Sequence, residues 1–532
     1  MFHAPIPVHL PYGLHVPHLN SQTLQNGLHQ AAVMAHLSKA TPKFTASPKD
    51  GSALAAEQFN NPAFMRRRLE SCSHVTLNPS YDPDKEPSQP ILPRLLYWLD
   101  DGKRDPKGGV LDRGSFELPP LRPGKYLLFG TDLGGFNNIR MSFEVYTTIA
   151  ALEGRTLVLP PPHGWYLLDF GRPQDLQGPG GGLSDYSEFW ELADLNTVVP
   201  VITAQEFLKR EMQHFKFPFT DVSDPAHSQY NHEEHKFYAF FNSFRGKANQ
   251  DDVAFCEGHP DDKVVWWPTI KAVQEAIGNN QDILEHYTMG KQPYELSQRE
   301  RNSKVLYMPQ WMANRDPAVK QDYRFFTNAA SYVLYADDKF RRMANRIKRN
   351  HMHYTYEIFY VASRVIRFLG PGNYTSLHVR RGDLQYETSF IAAEQTINNI
   401  KALLKPGETL YISTDEKPEF FRAIRESGHP VFHFSDFLTT VLSDLTLDYN
   451  MIGMVEQVIC SQGRRFFGTK LSTFSAYIFR MRGYNRFVEP KLLQYHNTKY
   501  SGDENEDKRE SLEAMTPHNW GMEYLSTWED IY

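Results

Sequence analysis

The 532-residue chain contains few cysteines and lacks the features that mark several large classes of protein. Only Cys72, Cys256 and Cys460 are present, so at most one internal disulfide can form, and a disulfide-framed secreted scaffold is excluded. Neither a CxxC pair nor a Cys/His spacing typical of a zinc site occurs. The net charge is −6, which provides no global attraction to nucleic acid, and we expect no nucleic-acid partner.

Long apolar runs are also missing. Because no stretch reaches about 18 apolar residues, no transmembrane segment is expected. The first 30 residues are rich in Pro and His and lack a basic start followed by an apolar core, so no signal peptide is recognisable. Taken alone, this favours a cytosolic protein or an incomplete N-terminus.

The pattern along the chain predicts four regions. Residues 1–120 hold many prolines and turn formers, which predicts an irregular extension. Residues 121–360 and 361–490 each alternate apolar strand patterns with helical ones, and residues 491–532 form an acidic tail. Two α/β domains built on parallel sheets are therefore expected, with helices on both faces of the second sheet.

In the first α/β half, a buried strand at 126–129 is followed by a Gly134-Gly135 turn and a helix that stops at Gly154. The next strand is expected at 156–159, which completes a parallel β-loop-α-β unit. The two glycines allow a ligand to approach the backbone, and the helix N-terminus behind them favours an anion. A simple tight corner explains the same pattern equally well.

The second half shows clearer alternation. The pattern predicts strands at 374–379, 409–414, 430–434 and 465–468, and helices near 390–404, 417–427, 445–461 and, after the last strand, as far as Arg482. An earlier helical stretch, 317–350, ends in a basic run that we interpret as a solvated helix face before the domain boundary.

Polar side chains collect where three of these strands end. In open α/β sheets, ligands bind at the carboxyl ends of strands, and a forked guanidinium there suits a diphosphate. Each residue also has a structural interpretation, as a helix cap or an ion pair. Taken together, the three tips predict a nucleotide site, and its candidate residues are His378, Arg380, Asp383, Ser413, Thr414, Asp415, Ser472, Thr473 and Ser475.

At these residues the chain resembles the GDP-fucose protein O-fucosyltransferase family. The matching segments, in the family's order, are 134–140, 155–161, 378–383, 413–415 and 468–475, and the resemblance spans about 121 to 490. It implies a GT-B architecture, with two Rossmann-like domains facing across a cleft. It further implies inverting, metal-independent transfer of fucose from GDP-fucose to a protein Ser/Thr or a glycan hydroxyl, with no cofactor.

The resemblance also implies residue roles. Arg380 would hold the β-phosphate and stabilise the departing GDP, His378 would contact the nucleoside and Asp415 the guanine. Arg380 and Asn137 would be the catalytic pair. The full set expected to bind the sugar nucleotide is Gly134, Gly135, Phe136, Asn137, His378, Arg380, Asp383, Asp415, Ser472, Thr473 and Phe474.

One position departs from the family pattern and leaves alternatives open. Gly134 stands where one branch of the family has a carboxylate base, so Asp132, a phosphate oxygen or water would have to take the acceptor's proton. The departure keeps two other functions open, a catalytically inactive binding member and a transferase of another deoxysugar. The resemblance implies the secretory lumen (ER or Golgi), whereas the missing signal leaves the cytoplasm as the alternative.

Overall fold

The structure is a computed structural model. It describes residues 61–99, 118–130, 134–165, 168, 184–222, 236–244, 252–255, 263–267, 292–294, 296–308, 333–335, 338–382, 384, 386–485 and 493–503.

Residues 61–99 form an ordered arm. Helix α1 (Pro62–Ser71) begins at Asn61, whose side chain accepts the N–H of Ala63, and proline occupies the first turn as helix starts favour. Strand β1 (Val75–Leu77) pairs antiparallel with 445–447 in the second half of the chain. The sequence predicts an irregular extension here; the structure differs because apolar residues of the arm are buried against the rest of the chain.

The first half is organised around a parallel sheet. Its described strands follow the order β4-β3-β2-β8-β5, and a separate parallel sheet has the order β7-β6-β9. The elements are β2 (Tyr126–Phe129), α2 (Phe136–Leu152), β3 (Thr156–Leu159), α3 (Leu192–Leu195), β4 (Val201–Thr203), α4 (Ala204–Phe215), α5 (Lys236–Asn242), β5 (Val253–Phe255), β6 (Lys263–Trp267), β7 (Gln292–Tyr294), α6 (Gln298–Asn302), β8 (Val305–Met308), β9 (Val333–Tyr335) and α7 (Asp338–His351).

The second half repeats this plan. Its parallel strands follow the order β12-β11-β10-β14-β15, with β10 at the centre and buried along its whole length. The elements are α8 (Tyr356–Leu369), β10 (Tyr374–Val379), α9 (Ala393–Ile400), β11 (Thr409–Thr414), α10 (Arg422–Glu426), β12 (Val431–Phe432), α11 (Ser435–Leu438), β13 (Leu445–Leu447), α12 (Tyr449–Ser461), β14 (Arg465–Gly468), α13 (Thr473–Tyr484) and β15 (Gln494–Tyr495).

These elements confirm the α/β class with two parallel, Rossmann-like sheets. Strands β2, β3, β10, β11 and β14 have the predicted bounds, whereas the strand expected at 430–434 is only two residues long. The helix expected at 445–461 begins at Tyr449, because residues 445–447 instead form β13 and pair with the arm. Of the helix expected at 317–350, the described part holds β9 and α7, and residues 309–332 lie outside the described ranges.

Candidate active site

The end of β10 carries a buried, neutral histidine. His378 Nδ1 lies 2.7 Å from Ser475 Oγ, and its ring stacks on Phe474 at a centroid distance of 4.4 Å. Burial, together with the charges of Arg380 and His496, holds the pKa of His378 well below its usual range. The imidazole is therefore uncharged at neutral pH and can serve as a hydrogen-bonding and stacking surface.

Thr469 fastens the end of β14 to the end of β10. Its hydroxyl donates to the His378 carbonyl at 2.8 Å and accepts the backbone N–H of Arg380 at 3.0 Å. Its own N–H donates to Ser475 Oγ at 2.8 Å. The backbone that presents Arg380, whose side chain is half-buried, is thus held in place by the loop that leads into α13.

The side chain of the neighbouring Arg381 forms hydrogen bonds within the protein. Arg381 Nε donates to Glu416 Oε1 at 2.8 Å and its Nη1 donates to the Ile391 carbonyl at 3.0 Å. Its guanidinium also lies 4.8 Å from the centre of the Phe420 ring. Arg381 therefore shapes the turn, and the expected contact of Arg380 with a phosphate stays a prediction.

Asp415 at the end of β11 stabilises the same turn. Its carboxylate accepts the backbone N–H groups of Arg381 at 3.0 Å and of Gly382 at 2.8 Å. A Cβ on residue 382 would lie 3.1 Å from Asp415 Oδ2, so a glycine allows this close approach. The expected contact of Asp415 with guanine stays a prediction, and Asp383 lies outside the described residues.

The start of α13 presents an unsatisfied hydroxyl. Leu471 has a left-handed φ of 67°, which turns the chain sharply into the helix. Ser472 occupies the N-cap position without making a side-chain capping bond, and its buried Oγ has no hydrogen-bond partner within the described ranges. Buried hydroxyls are normally satisfied, so an Oγ at a helix N-terminus, beside the buried Thr473, is suited to an anionic ligand.

The Gly134-Gly135 turn of the first half has the backbone that its sequence predicts. Gly134 adopts a φ of 112°, a conformation that side chains rarely allow, and Gly135 is the N-cap of α2. The Phe136 ring is buried and stacks on Trp190 at a centroid distance of 5.0 Å, and its expected contact with the sugar nucleotide stays a prediction. Phe136 therefore anchors the turn in an aromatic cluster.

Asn137 connects this turn to the second half. Its Oδ1 accepts Arg140 Nε and Gln457 Nε2, each at 3.2 Å. Gln457 Nε2 also donates to the carbonyl of Phe474 at 3.2 Å, at the start of α13. The structure thus brings the Gly135–Asn137 and Ser472–Phe474 segments, which are more than 300 residues apart in sequence, to one place.

A buried ion cluster fixes α2 against α13 nearby. Glu144 accepts hydrogen bonds from Arg140 Nη1 and Arg480 Nη1, each at 2.7 Å, and Arg140 lies 3.8 Å from the centre of the Tyr477 ring. Burial opposes the carboxylate's charge, but Arg140 and Arg480 outweigh it and lower the pKa of Glu144 to about 2. This cluster holds the two halves together beside the candidate site.

Sequence reasoning missed a carboxyl group on α12. Glu456 Oε1 accepts the Tyr411 hydroxyl at 3.0 Å, and a hydrogen bond also links Glu456 to Ser413, which lies opposite His378 in the β10–β11 register. Burial raises the pKa of Glu456 to about 7, although these two hydrogen bonds lower it. A polar residue in a helical pattern gave no signal in the sequence, and Glu456 becomes a candidate only through its position behind the strand ends in the structure.

Comparison with known proteins decides the family. The family model described as GDP-fucose protein O-fucosyltransferase matches residues 126–485, well over half of the chain. The chain belongs to this family. It is thereby a member of a group of GDP-fucose-dependent fucosyltransferases, which confirms the resemblance drawn from the motifs.

Solved structures similar to this O-fucosyltransferase family member share little sequence with it. POFUT1 in complex with GDP-fucose is 14% identical, with a TM-score of 0.35, and the match covers 71% of this chain and 99% of that one. Fucosyltransferase NodZ from Bradyrhizobium is 13% identical, with a TM-score of 0.34 and coverage of 67% and 92%. No curated protein sequence matches the chain.

Neither a candidate metal centre nor a candidate membrane-spanning helix occurs in the part of the chain that the structure describes. Among those residues, no group of three or more His, Cys, Asp or Glu side chains is arranged to hold a metal ion. Within the same ranges, no helix combines the length and the apolar character needed to cross a membrane.

Proposed function

We propose that this chain transfers fucose from GDP-fucose to a hydroxyl of a protein Ser/Thr or a glycan, with inversion at the sugar carbon and without a metal ion. Family membership provides the donor class. The single observation that carries the assignment to this site is Ser472, a buried hydroxyl without a partner among the described residues, at the N-terminus of α13. A diphosphate there would satisfy it and would benefit from the helix dipole.

The transfer requires the developing charge on the leaving GDP to be stabilised. As the acceptor oxygen attacks the sugar carbon, the bond from that carbon to the β-phosphate oxygen breaks, and the electron pair stays with the phosphate. In the proposed arrangement, the Arg380 guanidinium and the start of α13, with Ser472 and Thr473, stabilise this charge. Such fixed donors are typically the largest contribution to catalysis.

The nucleoside is assigned to the ends of β10 and β11. The neutral His378, stacked on Phe474, offers a hydrogen-bonding edge to a ribose or a base. Guanine presents two adjacent N–H donors, which a carboxylate accepts well. Asp415 remains a candidate for this contact, and Glu456 is a second one, since Asp415 already accepts two backbone N–H groups.

The acceptor side rests on the first half of the chain. Gly134 and Gly135, which lack side chains, allow the acceptor to approach the backbone. Gln457 hydrogen-bonds both Asn137 and the Phe474 carbonyl, which places Asn137 beside the start of α13. No carboxylate stands at Gly134, and Asp132, the nearby carboxylate in the sequence, lies outside the described residues. We propose that the acceptor's proton leaves to a phosphate oxygen or to water.

Family membership supports a location in the secretory lumen.

The test is GDP release from GDP-fucose with and without candidate acceptors. We expect the wild type to release GDP and Arg380→Ala to be about 10²- to 10³-fold slower. Arg422→Ala is the matched control, because Arg422 belongs to the same half and its side chain is 82% exposed. If the wild type releases GDP no faster than Arg380→Ala, the chain is instead a catalytically inactive binding member of the family. A preference for a UDP- or dTDP-sugar in a donor panel would overturn the guanine assignment.

A further inference from the structure

A buried glutamine lies between the two halves of the candidate site. Gln457 on α12 has no exposed surface, and it bonds to three separate parts of the chain. Its Oε1 accepts the Tyr354 hydroxyl at 2.6 Å, and its Nε2 donates to Asn137 Oδ1 and to the Phe474 carbonyl, each at 3.2 Å. Both N–H groups of the amide are therefore used.

These bonds determine which way the Asn137 amide faces. Its Oδ1 accepts two donors, Arg140 Nε and Gln457 Nε2. Rotating the amide by 180° would place an NH₂ group against two N–H donors, which leaves buried donors unpaired. The amide nitrogen is thus directed away from both donors, and it has no hydrogen-bond partner among the described residues.

The same side chain also acts on the other half of the site. The carbonyl of Phe474 belongs to the first turn of α13, next to the unsatisfied Ser472 hydroxyl. One amide group therefore sets the position of a donor from the first half and of the helix start from the second. Errors of about 1 Å in such positions cost large factors in rate.

We propose that Gln457 is a positioning residue for the transfer reaction: it presents the amide nitrogen of Asn137 to the phosphate or sugar of the donor and holds the start of α13 opposite. This inference rests on the proposed function, and it adds a residue to which the motifs gave no role. Gln457 itself does not touch the substrate. Its effect on the reaction passes through Asn137 and through the Phe474 carbonyl.

The experiment is a double-mutant cycle on Gln457 and Asn137. Gln457→Met fills a similar volume and removes the amide without burying a charge. Gln462→Met is the matched control, since Gln462 follows the same helix, is 2% exposed and accepts a hydrogen bond from Arg94. For each variant, kcat and KM for GDP-fucose, the affinity for GDP by calorimetry and the melting temperature are measured.

We expect Gln457→Met to lower kcat/KM about 10- to 100-fold, in the range for misplacing one stabilising donor, while Gln462→Met changes it less than about twofold. With Asn137→Ala already present, Gln457→Met should lower it further by less than about threefold, because the two changes remove one interaction.

Fully additive effects of Gln457→Met and Asn137→Ala on kcat/KM would overturn the inference. So would a loss of activity in Gln457→Met that the fall in its melting temperature explains, with the same relation between the two in Gln462→Met. The affinity for GDP keeps the two claims separate. If the wild type binds GDP but never turns over GDP-fucose, the proposed reaction fails, and non-additive GDP affinities still support the role of Gln457. If the wild type binds no GDP, both fail.

Discussion

Replacement of Ser472 by alanine should change stability and ligand affinity in opposite directions. The hydroxyl is buried and unsatisfied within the described part of the chain, and leaving such a group without a partner costs about 1–3 kcal/mol. Ser472→Ala removes that cost and creates only a small void. We therefore expect the ligand-free variant to be more stable than the wild type by about 0.5–1.5 kcal/mol.

The same change should weaken nucleotide binding. A hydrogen bond to a charged group contributes about 1.5–3 kcal/mol, so the affinity of Ser472→Ala for GDP should fall about 10- to 100-fold. Calorimetric titration gives the affinity, and thermal and urea unfolding give the stability.

Ser461→Ala is the matched control. Ser461 is equally buried on α12, but its hydroxyl donates to the Val458 carbonyl at 2.7 Å. This variant should lose about 1 kcal/mol of stability and retain its affinity for GDP. A Ser472→Ala protein that is destabilised like Ser461→Ala, or that binds GDP as tightly as the wild type, would refute the reasoning.

Three further predictions concern charged groups. Glu144→Gln should lower the free energy of unfolding at pH 7, measured in urea, by about 3–5 kcal/mol. Because the pKa of Glu144 is lowered to about 2, its contribution to stability is present above pH 4.5 and is lost as the pH falls towards 2. A stability difference between variant and wild type that does not change with pH would contradict this. GDP affinity should rise with pH up to about 7, the pKa of Glu456, because guanine donors favour the carboxylate. Calorimetric titration at several pH values should show that Glu456→Gln loses this dependence, and an unchanged dependence in that variant would exclude Glu456 as the guanine contact. Burial lowers the pKa of His74, but hydrogen bonds to Asp448 and Glu188 raise it to about 9, so the stability that His74 contributes is full below pH 6.5 and is lost as the pH rises through 9. Thermal unfolding of His74→Ala should therefore show a smaller fall in stability than the wild type between pH 6.5 and 9. An equal fall in both proteins would exclude the contacts of His74 with the two carboxylates as its cause.

The central strands were predictable because their signals are local. β10 and β11 are rich in β-branched and apolar residues and have turn residues on both sides, and the structure places them at the predicted bounds. The polar residues at their ends follow from the rule that parallel strands share one functional edge. His378 and Arg380, and Ser472 after β14, could therefore be named as candidates from the sequence.

The contacts that assemble the site depend on residues far apart in the chain, and no local pattern predicts them. Gln457 meets Asn137 across 320 positions, and Arg480 meets Glu144 across 336. The arm at 61–99 looked irregular because its proline content is high, yet β1 pairs with β13. Likewise, the hydrogen bonds that Asp415 accepts from the backbone of the adjoining turn join residues more than 30 positions apart, and the sequence did not indicate them.

The most direct test of the account is a crystal structure of the protein with bound GDP. The account predicts that the diphosphate lies at the start of α13, with phosphate oxygens at hydrogen-bonding distance, about 3 Å, from Ser472 Oγ and from the guanidinium of Arg380. A nucleotide bound elsewhere, with the Ser472 hydroxyl still unsatisfied, would contradict it.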